Sequence, residues 1–202
     1  MLESFQQYND CNFAGSDYNQ ATLEGADFTN CIFNRCTFSQ SKLKKNTFES
    51  CTFNHCNFNN AQLIDTVIRG ATFHTCSFIG VDFSSIPQTL PLLLSFIDCS
   101  LEYAHFSTMR IEKSLFKNCK LTEADFSEAL LSESSFEFSE LTRTVFHHTN
   151  LTKCDFRSAV NYSLDARQNQ LKGAKFSEPE VMNLLNSFDI IIEDPPQQET
   201  EI

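Results

Sequence analysis

Residues 26–38 read Ala26-Asp27-Phe28-Thr29-Asn30-Cys31-Ile32-Phe33-Asn34-Arg35-Cys36-Thr37-Phe38, with a large apolar side chain at every fifth position. The beat extends both ways. From Phe13 to Phe83 every fifth residue is Phe, Leu, Ile or Tyr, and the pattern resumes at Phe96 and runs unbroken to Phe156. Two residues before each of these centres sits a mostly small inner partner, usually Ala, Cys, Ser or Thr. A five-residue period fits neither the 3.6 of an α-helix nor the 2 of a flat strand. It is the mark of a solenoid, in which each repeat buries its apolar residues only by stacking on its neighbours.

Composition supports this. The chain has 202 residues, 21 Phe, 5 Gly and no Trp. Only Phe5, Phe138 and Phe188 lie off the beat, so most of the Phe is interior lattice. All nine Cys (11, 31, 36, 51, 56, 76, 99, 119 and 154) are inner partners and read as small buried hydrophobes. Their odd number and the lack of a secretory leader favour reduced thiols. No stretch is apolar and long enough to span a bilayer, and the chain reads as soluble and cytoplasmic. Net charge is −11, but residues 178–202 hold seven acids and no Lys or Arg, leaving 19 acids against 15 bases elsewhere. That balance argues against direct nucleic-acid binding, which needs clustered bases.

The residue before the centre is often Asp or Asn (Asn12, Asp17, Asp27, Asn57, Asp82, Asp125, Asn150, Asp155), suited to tight turns. The units Ala26-Asp27-Phe28-Thr29-Asn30, Cys56-Asn57-Phe58-Asn59-Asn60 and Ala124-Asp125-Phe126-Ser127-Glu128 resemble the pentapeptide repeat, A(D/N)LxX in shorthand, over roughly residues 8–176. The resemblance implies an all-β fold, a right-handed quadrilateral β-helix with four units per coil. Cys11, Cys31 and Cys51 lie 20 apart, as do Cys36, Cys56 and Cys76, which is consistent with a 20-residue coil. About eight coils at ~4.8 Å per strand make a rod of roughly 40 Å.

Three regions are expected: residues 1–176 as the β-helix with a break at 84–95, residues 177–192 as a capping or dimerisation segment, and residues 193–202 as a disordered acidic tail. The break, Ser84-Ser85-Ile86-Pro87-Gln88-Thr89-Leu90-Pro91, has two prolines and predicts a bulge or short loop with a possible kink. Beyond Phe156 the centres fall on Asn161 and Ala166 before Leu171 and Phe176 restore the phase. Ser177-Glu178-Pro179-Glu180 then predicts the start of a short C-terminal α-helix with a capping box. Val181, Leu184, Leu185 and Phe188 form one apolar stripe, to cap the last coil and pair two chains across a two-fold axis. Ile190-Ile191-Ile192 predicts a short strand.

Little in the sequence carries chemistry. His55, His74, His105, His147 and His148 occupy outward positions while every Cys points inward. No phosphate loop, nucleophile motif or metal-ligand spacing is present, and neither enzyme activity nor a cofactor, metal, membrane or small-molecule substrate is expected. The sharpest surface feature lies between Lys120 and Arg143, where Glu123, Asp125, Glu128, Glu133, Glu137 and Glu140 occur with no base among them. All six are on outward positions and would ring one coil as a negative belt. It reads either as solvated surface or as a patch imitating DNA phosphates.

A long rod with one mid-chain break and an apolar C-terminal segment is similar to the topoisomerase-protecting pentapeptide repeat proteins, the Qnr-type and albicidin-resistance-type groups. That resemblance implies a dimeric DNA mimic that binds DNA gyrase or topoisomerase IV and relieves a poison. The uninterrupted first block, where Qnr-type members often carry loops, fits a natural toxin or self-immunity better than a synthetic quinolone. The alternative is a structural scaffold for a different protein partner.

Overall fold

The computed structural model describes residues 2–88, 92–188, 190, 191 and 193. Three-residue parallel strands stack directly over one another, each centre above the centre 20 residues earlier. Thus Gln7–Asn9, Asp27–Thr29, Thr47–Glu49 and Val67–Arg69 form one ladder. Asn12–Ala14, Ile32–Asn34, Thr52–Asn54, Thr72–His74, Ser95–Ile97 and Leu115–Lys117 form a second. Thr22–Glu24, Lys42–Lys44 and Gln62–Ile64 form a third. The fourth face is joined by single bridges, Asp17 to Thr37, Asn57, Ser77 and Ser100 in turn. After the second ladder's last strand the same register continues through isolated bridges, because most faces there are tight turns rather than strands.

Two local devices turn the chain through each corner. The second residue after most centres adopts a left-handed conformation, with φ of 53° at Asn30, 51° at Arg35 and 59° at Glu128. Asp or Asn before the centre supplies the other device. Asp17, Asn57, Asp82, Asp125, Asn150 and Asp155 each accept the N–H two residues on, at 2.8–3.1 Å. This is the local bonding that favours these side chains in turns.

The centres fill the interior as columns of stacked rings. One runs Phe13, Phe33, Phe53, Phe73, Phe96, Phe116, Phe136, Phe156, Phe176 with centroids 4.7–5.4 Å apart. Before the break three walls are aromatic but for Ile68, which follows Phe48, and the fourth is Leu23, Leu43 and Leu63. After it, Phe83, Phe106, Phe126 and Phe146 form the wall opposite the long column, and the two meet edge-on, as between Phe106 and Phe116 at 5.6 Å and 82°. Leu and Ile take the remaining two walls.

The coil carrying the break has 23 residues instead of 20, yet the columns pass through it without a step. Phe73 stacks on Phe96 at 5.0 Å and 12°, Thr72 pairs with Ser95, and Asp82 bridges His105. Of the strand ladders, the one from Asn12–Ala14 to Leu115–Lys117 crosses the break, while the other two end before it. Ile86, Leu92 and Leu94 are buried, so large residues replace the usual inner and central side chains there. Thr89, Leu90 and Pro91 lie outside the described residues.

Inner partners do more than fill space. Most polar ones donate to the carbonyl of the centre in the coil before, 23 residues back across regular coils: Cys51 Sγ to Phe28, Cys56 to Phe33, Thr66 Oγ1 to Leu43, Ser134 Oγ to Ile111, Thr149 Oγ1 to Phe126; Ser41 Oγ instead donates to Phe38 O of its own coil, at 2.6 Å. Several also accept the inner N–H of that same coil, as Cys76 Sγ does from Cys56 N (3.3 Å) and Asn169 Oδ1 from Thr149 N (2.9 Å). The hydrophobe reading of cysteine was therefore incomplete. These thiols are buried, and they also donate to backbone carbonyls of the coil before, as Cys154 Sγ does to Leu131 O, which accepts Ser134 N as well. Burial pushes the Cys51 and Cys154 thiols up to about 12, so they stay protonated donors. Asn46 makes both kinds of bond, accepting Ala26 N at 3.0 Å and donating to Leu23 O at 2.9 Å. Asn46→Ala would orphan the buried Ala26 N–H and remove a second bond to Leu23 O, and a loss of about 1–3 kcal/mol is expected in urea unfolding. Asn46→Ser should recover part of it, since serine serves at Ser114 and Ser134.

The ends are finished differently. Leu2–Phe5 folds over the first coil: Phe5 N donates to Glu24 O (2.8 Å), Leu2 N to Tyr18 Oη (3.1 Å), and Glu3 N to Tyr8 Oη (2.9 Å). At the other end Asn161 is exposed, and Tyr162 and Leu164, both 2% exposed, fill the last coil in place of the centres expected at Asn161 and Ala166. The predicted α-helix is a 3-10 helix, Glu180–Phe188. Its expected capping residues are engaged elsewhere. Ser177 Oγ accepts Ser158 N (3.0 Å) and Glu180 Oε2 accepts Asn161 N (3.3 Å), pinning the segment to the last coil. Ile190 and Ile191 form no strand and are exposed; Ile192 and residues 194–202 lie outside the described residues.

Candidate partner-binding surface

The register decides what the acidic belt is. Its six carboxylates do encircle one coil: Glu123, Glu128 and Glu133 sit at corners with φ of 57°, 59° and 64°, and Asp125, Glu137 and Glu140 lie on faces. Bases distant in sequence arrive beside them one coil away. Arg143 Nη2 meets Glu123 at 2.5 Å, Lys153 Nζ meets Glu133 at 3.2 Å with Lys113 on its other side at 3.9 Å, and Arg157 meets Glu137 at 3.5 Å. Each pair spans 20 residues. The belt thus lacks bases only along the chain, not in space. Half of it is neutralised by exposed ion pairs, each of which contributes ~0–1 kcal/mol.

The other three carboxylates have no basic partner among the described residues. Asp125 accepts Ser127 N at 2.8 Å, and Glu128 is exposed with no partner. Glu140 is enclosed by donors: Thr122 Oγ1 (2.7 Å), the Thr142 backbone N (2.9 Å) and hydroxyl, and Asn161 Nδ2 (3.4 Å). Burial alone would raise its pKa; the hydroxyl and amide donors outweigh that and hold the carboxyl below its usual range. Asp155 is lowered as well, chiefly by the Arg157 guanidinium, with Lys175 adding to it. Folded pKa values below the unfolded ones stabilise the protein above the unfolded value, and that stability is lost as pH falls through the folded value. Thermal unfolding should therefore be insensitive to pH from neutrality to about 5 and decline below about 4. Asp155→Asn should flatten that decline.

Flanking the belt is an open hollow of about 500 Å³ lined in part by Glu133, Glu137, Lys153, Asp155 and Lys175. It is zwitterionic and shallow, a relief between ladders rather than an enclosed site. His55, His105, His147 and His148 are exposed and His74 half-buried on the outer surface, whereas every Cys but Cys11 is buried, so imidazole and thiol do not converge. Among the described residues no group of three or more His, Cys, Asp or Glu could hold a metal ion, and no helix is long and apolar enough to cross a membrane.

At the C-terminal end the 3-10 geometry splits the expected apolar stripe, because side chains three apart eclipse one another. Leu184, in register with Val181, packs on the core. Met182, Leu185 and Phe188 form the other row, with Met182 46% and Phe188 45% exposed. Arg167 lies 5.8 Å over the Phe188 ring. Met182 did not stand out in the sequence because a 3.6-residue period places it off the stripe.

Columns of five-residue units wound in 20-residue coils, a closed ring-stacked interior and four outward faces define a solenoid whose accessible chemistry is all on its sides and ends. The chain belongs to the pentapeptide repeat family: the family's pentapeptide repeat region matches residues 26–106, 94–159 and 109–184. Among solved structures, a trypsin-treated variant of QnrB1, a plasmid-mediated fluoroquinolone resistance protein, is 19% identical over 93% of this chain and 100% of that one, with a TM-score of 0.62. Full-length QnrB1 is 22% identical, covering 91% and 100% at 0.51. HetL, a pentapeptide repeat protein involved in heterocyst differentiation regulation in the cyanobacterium Nostoc, is 13% identical, covering 85% of each chain at 0.54. At these identities the likeness is one of fold. No curated protein matches the sequence.

Proposed function

We propose that this protein is a non-enzymatic, DNA-mimicking rod that binds bacterial DNA gyrase or topoisomerase IV and protects it from a topoisomerase poison, as a resistance or self-immunity factor. One observation supports this most: the fold runs the full length of a chain described as a fluoroquinolone resistance protein. The partner is a protein, and neither nucleic acid nor a small-molecule substrate is bound directly. The proposed contact is the belt of Glu123, Asp125, Glu128, Glu133, Glu137 and Glu140. Asp125 and Glu128 present charge at once, Glu140 first gives up its Thr122, Thr142 and Asn161 donors, and Glu123, Glu133 and Glu137 exchange their intramolecular bases for those of a basic groove. Val181, Leu184, Leu185 and Phe188 serve a two-fold homodimer at the C-terminal end.

A test is direct titration of gyrase and topoisomerase IV with a variant in which the six belt acids are replaced by Asn or Gln. Weaker binding with a shallower salt dependence is expected, since charge complementarity governs encounter. Unchanged affinity would remove the belt from the interface. The second reading, a scaffold for a different partner, draws on the neutralisation of half the belt, which a dedicated phosphate mimic would not need.

A further inference from the structure

We propose that Cys11 and Cys31 form a peroxide-driven disulfide that fastens the first coil of the solenoid to the second. Among the described residues, the inner column Cys11–Cys31–Cys51 is the one with a partly exposed cysteine, at its first member. Cys11 is partly exposed and the other eight cysteines are buried. Asn12 pairs with Ile32 in a parallel ladder, so the residues just before them, Cys11 and Cys31, face each other across neighbouring coils. The strand spacing of ~4.8 Å falls inside the ~4.4–6.8 Å Cα window of a disulfide. Cys31 Sγ donates to Tyr8 O of the first coil (3.3 Å) and to Thr29 O of its own (3.4 Å), and Cys11 Sγ makes the matching bond within its own coil, to Asn9 O (3.3 Å), so the two thiols hold equivalent positions on adjacent coils. Among the described residues, only the short Leu2–Phe5 segment lies beneath the first coil, so Cys11 has room to adjust where deeper thiols do not.

The steps balance. The Cys11 thiolate attacks one oxygen of a hydroperoxide; the O–O bond breaks, the second oxygen leaves with a proton, and Cys11 becomes a sulfenic acid. Cys31 then loses its proton and attacks the Cys11 sulfur, and the S–O bond breaks to release water. With hydrogen peroxide, two thiols and one peroxide yield one disulfide and two waters, and two electrons pass from sulfur to oxygen. Cys11 is partly exposed and Cys31 is buried, so Cys11 meets the peroxide first and Cys31 resolves.

The reduced, folded protein would be treated with hydrogen peroxide, quenched, denatured and alkylated. Two of the nine thiols should escape alkylation, and cleavage after Glu24 should leave the Cys11 and Cys31 fragments joined until reductant is added. Cys11→Ser should keep its remaining thiols, and Cys31→Ser should accumulate a dimedone-reactive sulfenic acid at Cys11. Serine is tolerated in this column at Ser114 and Ser134, both buried, so the variants should fold. Full alkylation after peroxide, over-oxidation of Cys11 with Cys31 still free, or a disulfide joining two chains would each overturn the proposal.

Discussion

Phe106→Ala is expected to lower unfolding stability by about 3–5 kcal/mol, the usual cost of emptying a phenylalanine site in a packed core. Phe106 is 0% exposed, stacked on Phe83 at 4.6 Å and on Phe126 at 4.8 Å, with Phe96 and Phe116 edge-on. Because each coil touches only its neighbours, the hole cannot be closed without moving whole columns. Phe106→Leu should cost less than ~1.5 kcal/mol, as swaps closer in volume do. Phe176→Ala should also cost less than the central deletion, for that ring is only half-buried and caps the column. Urea unfolding of the three variants gives the ranking. Equal losses at Phe106 and Phe176 would show that the interior does not act as a graded stack.

The second large effect is expected at the C-terminal end. Leu184→Asp with Leu185→Asp removes four leucines from the proposed two-fold dimer. At ~1.5 kcal/mol or more each this totals roughly 6 kcal/mol, or a weakening of about 10⁴-fold. Leu184 also packs on the core, so this variant should fray the last coil as well. Met182→Asp with Phe188→Asp separates the two roles, since both side chains are largely exposed on one protomer. It should give monomers of unchanged melting temperature in sedimentation and thermal unfolding. A dimer that persists with unaltered stability in both double variants would refute the interface.

How far the sequence carried the reading depended on whether a feature was local or set by the coil. The five-residue beat is written along the chain and leads to the solenoid; the resemblance to the pentapeptide repeat implies the 20-residue coil, with which the spacing of Cys11, Cys31 and Cys51 agrees. Ion pairing was not legible by the same route. Lys113, Glu133 and Lys153 look unrelated until the coil length is applied, and then their spacing of 20 places them in one ladder. The same step finds Glu123 with Arg143. The role of the inner partners was hidden for another reason. Cysteine, serine, threonine and asparagine share little in hydropathy, and what unites them is a donor aimed at a carbonyl 23 residues earlier. The C-terminal helix was misread because Ser177 and Glu180 carry a capping-box pattern, while tertiary contacts with Ser158 and Asn161 draw both side chains away.

The central claim is tested most directly by gyrase supercoiling with purified protein added, with and without a gyrase poison. Rescue of supercoiling from the poison at low protein, with inhibition at high protein, is the predicted result. No effect at any concentration, on gyrase or on topoisomerase IV, would contradict the account and leave a pentapeptide repeat scaffold for another partner.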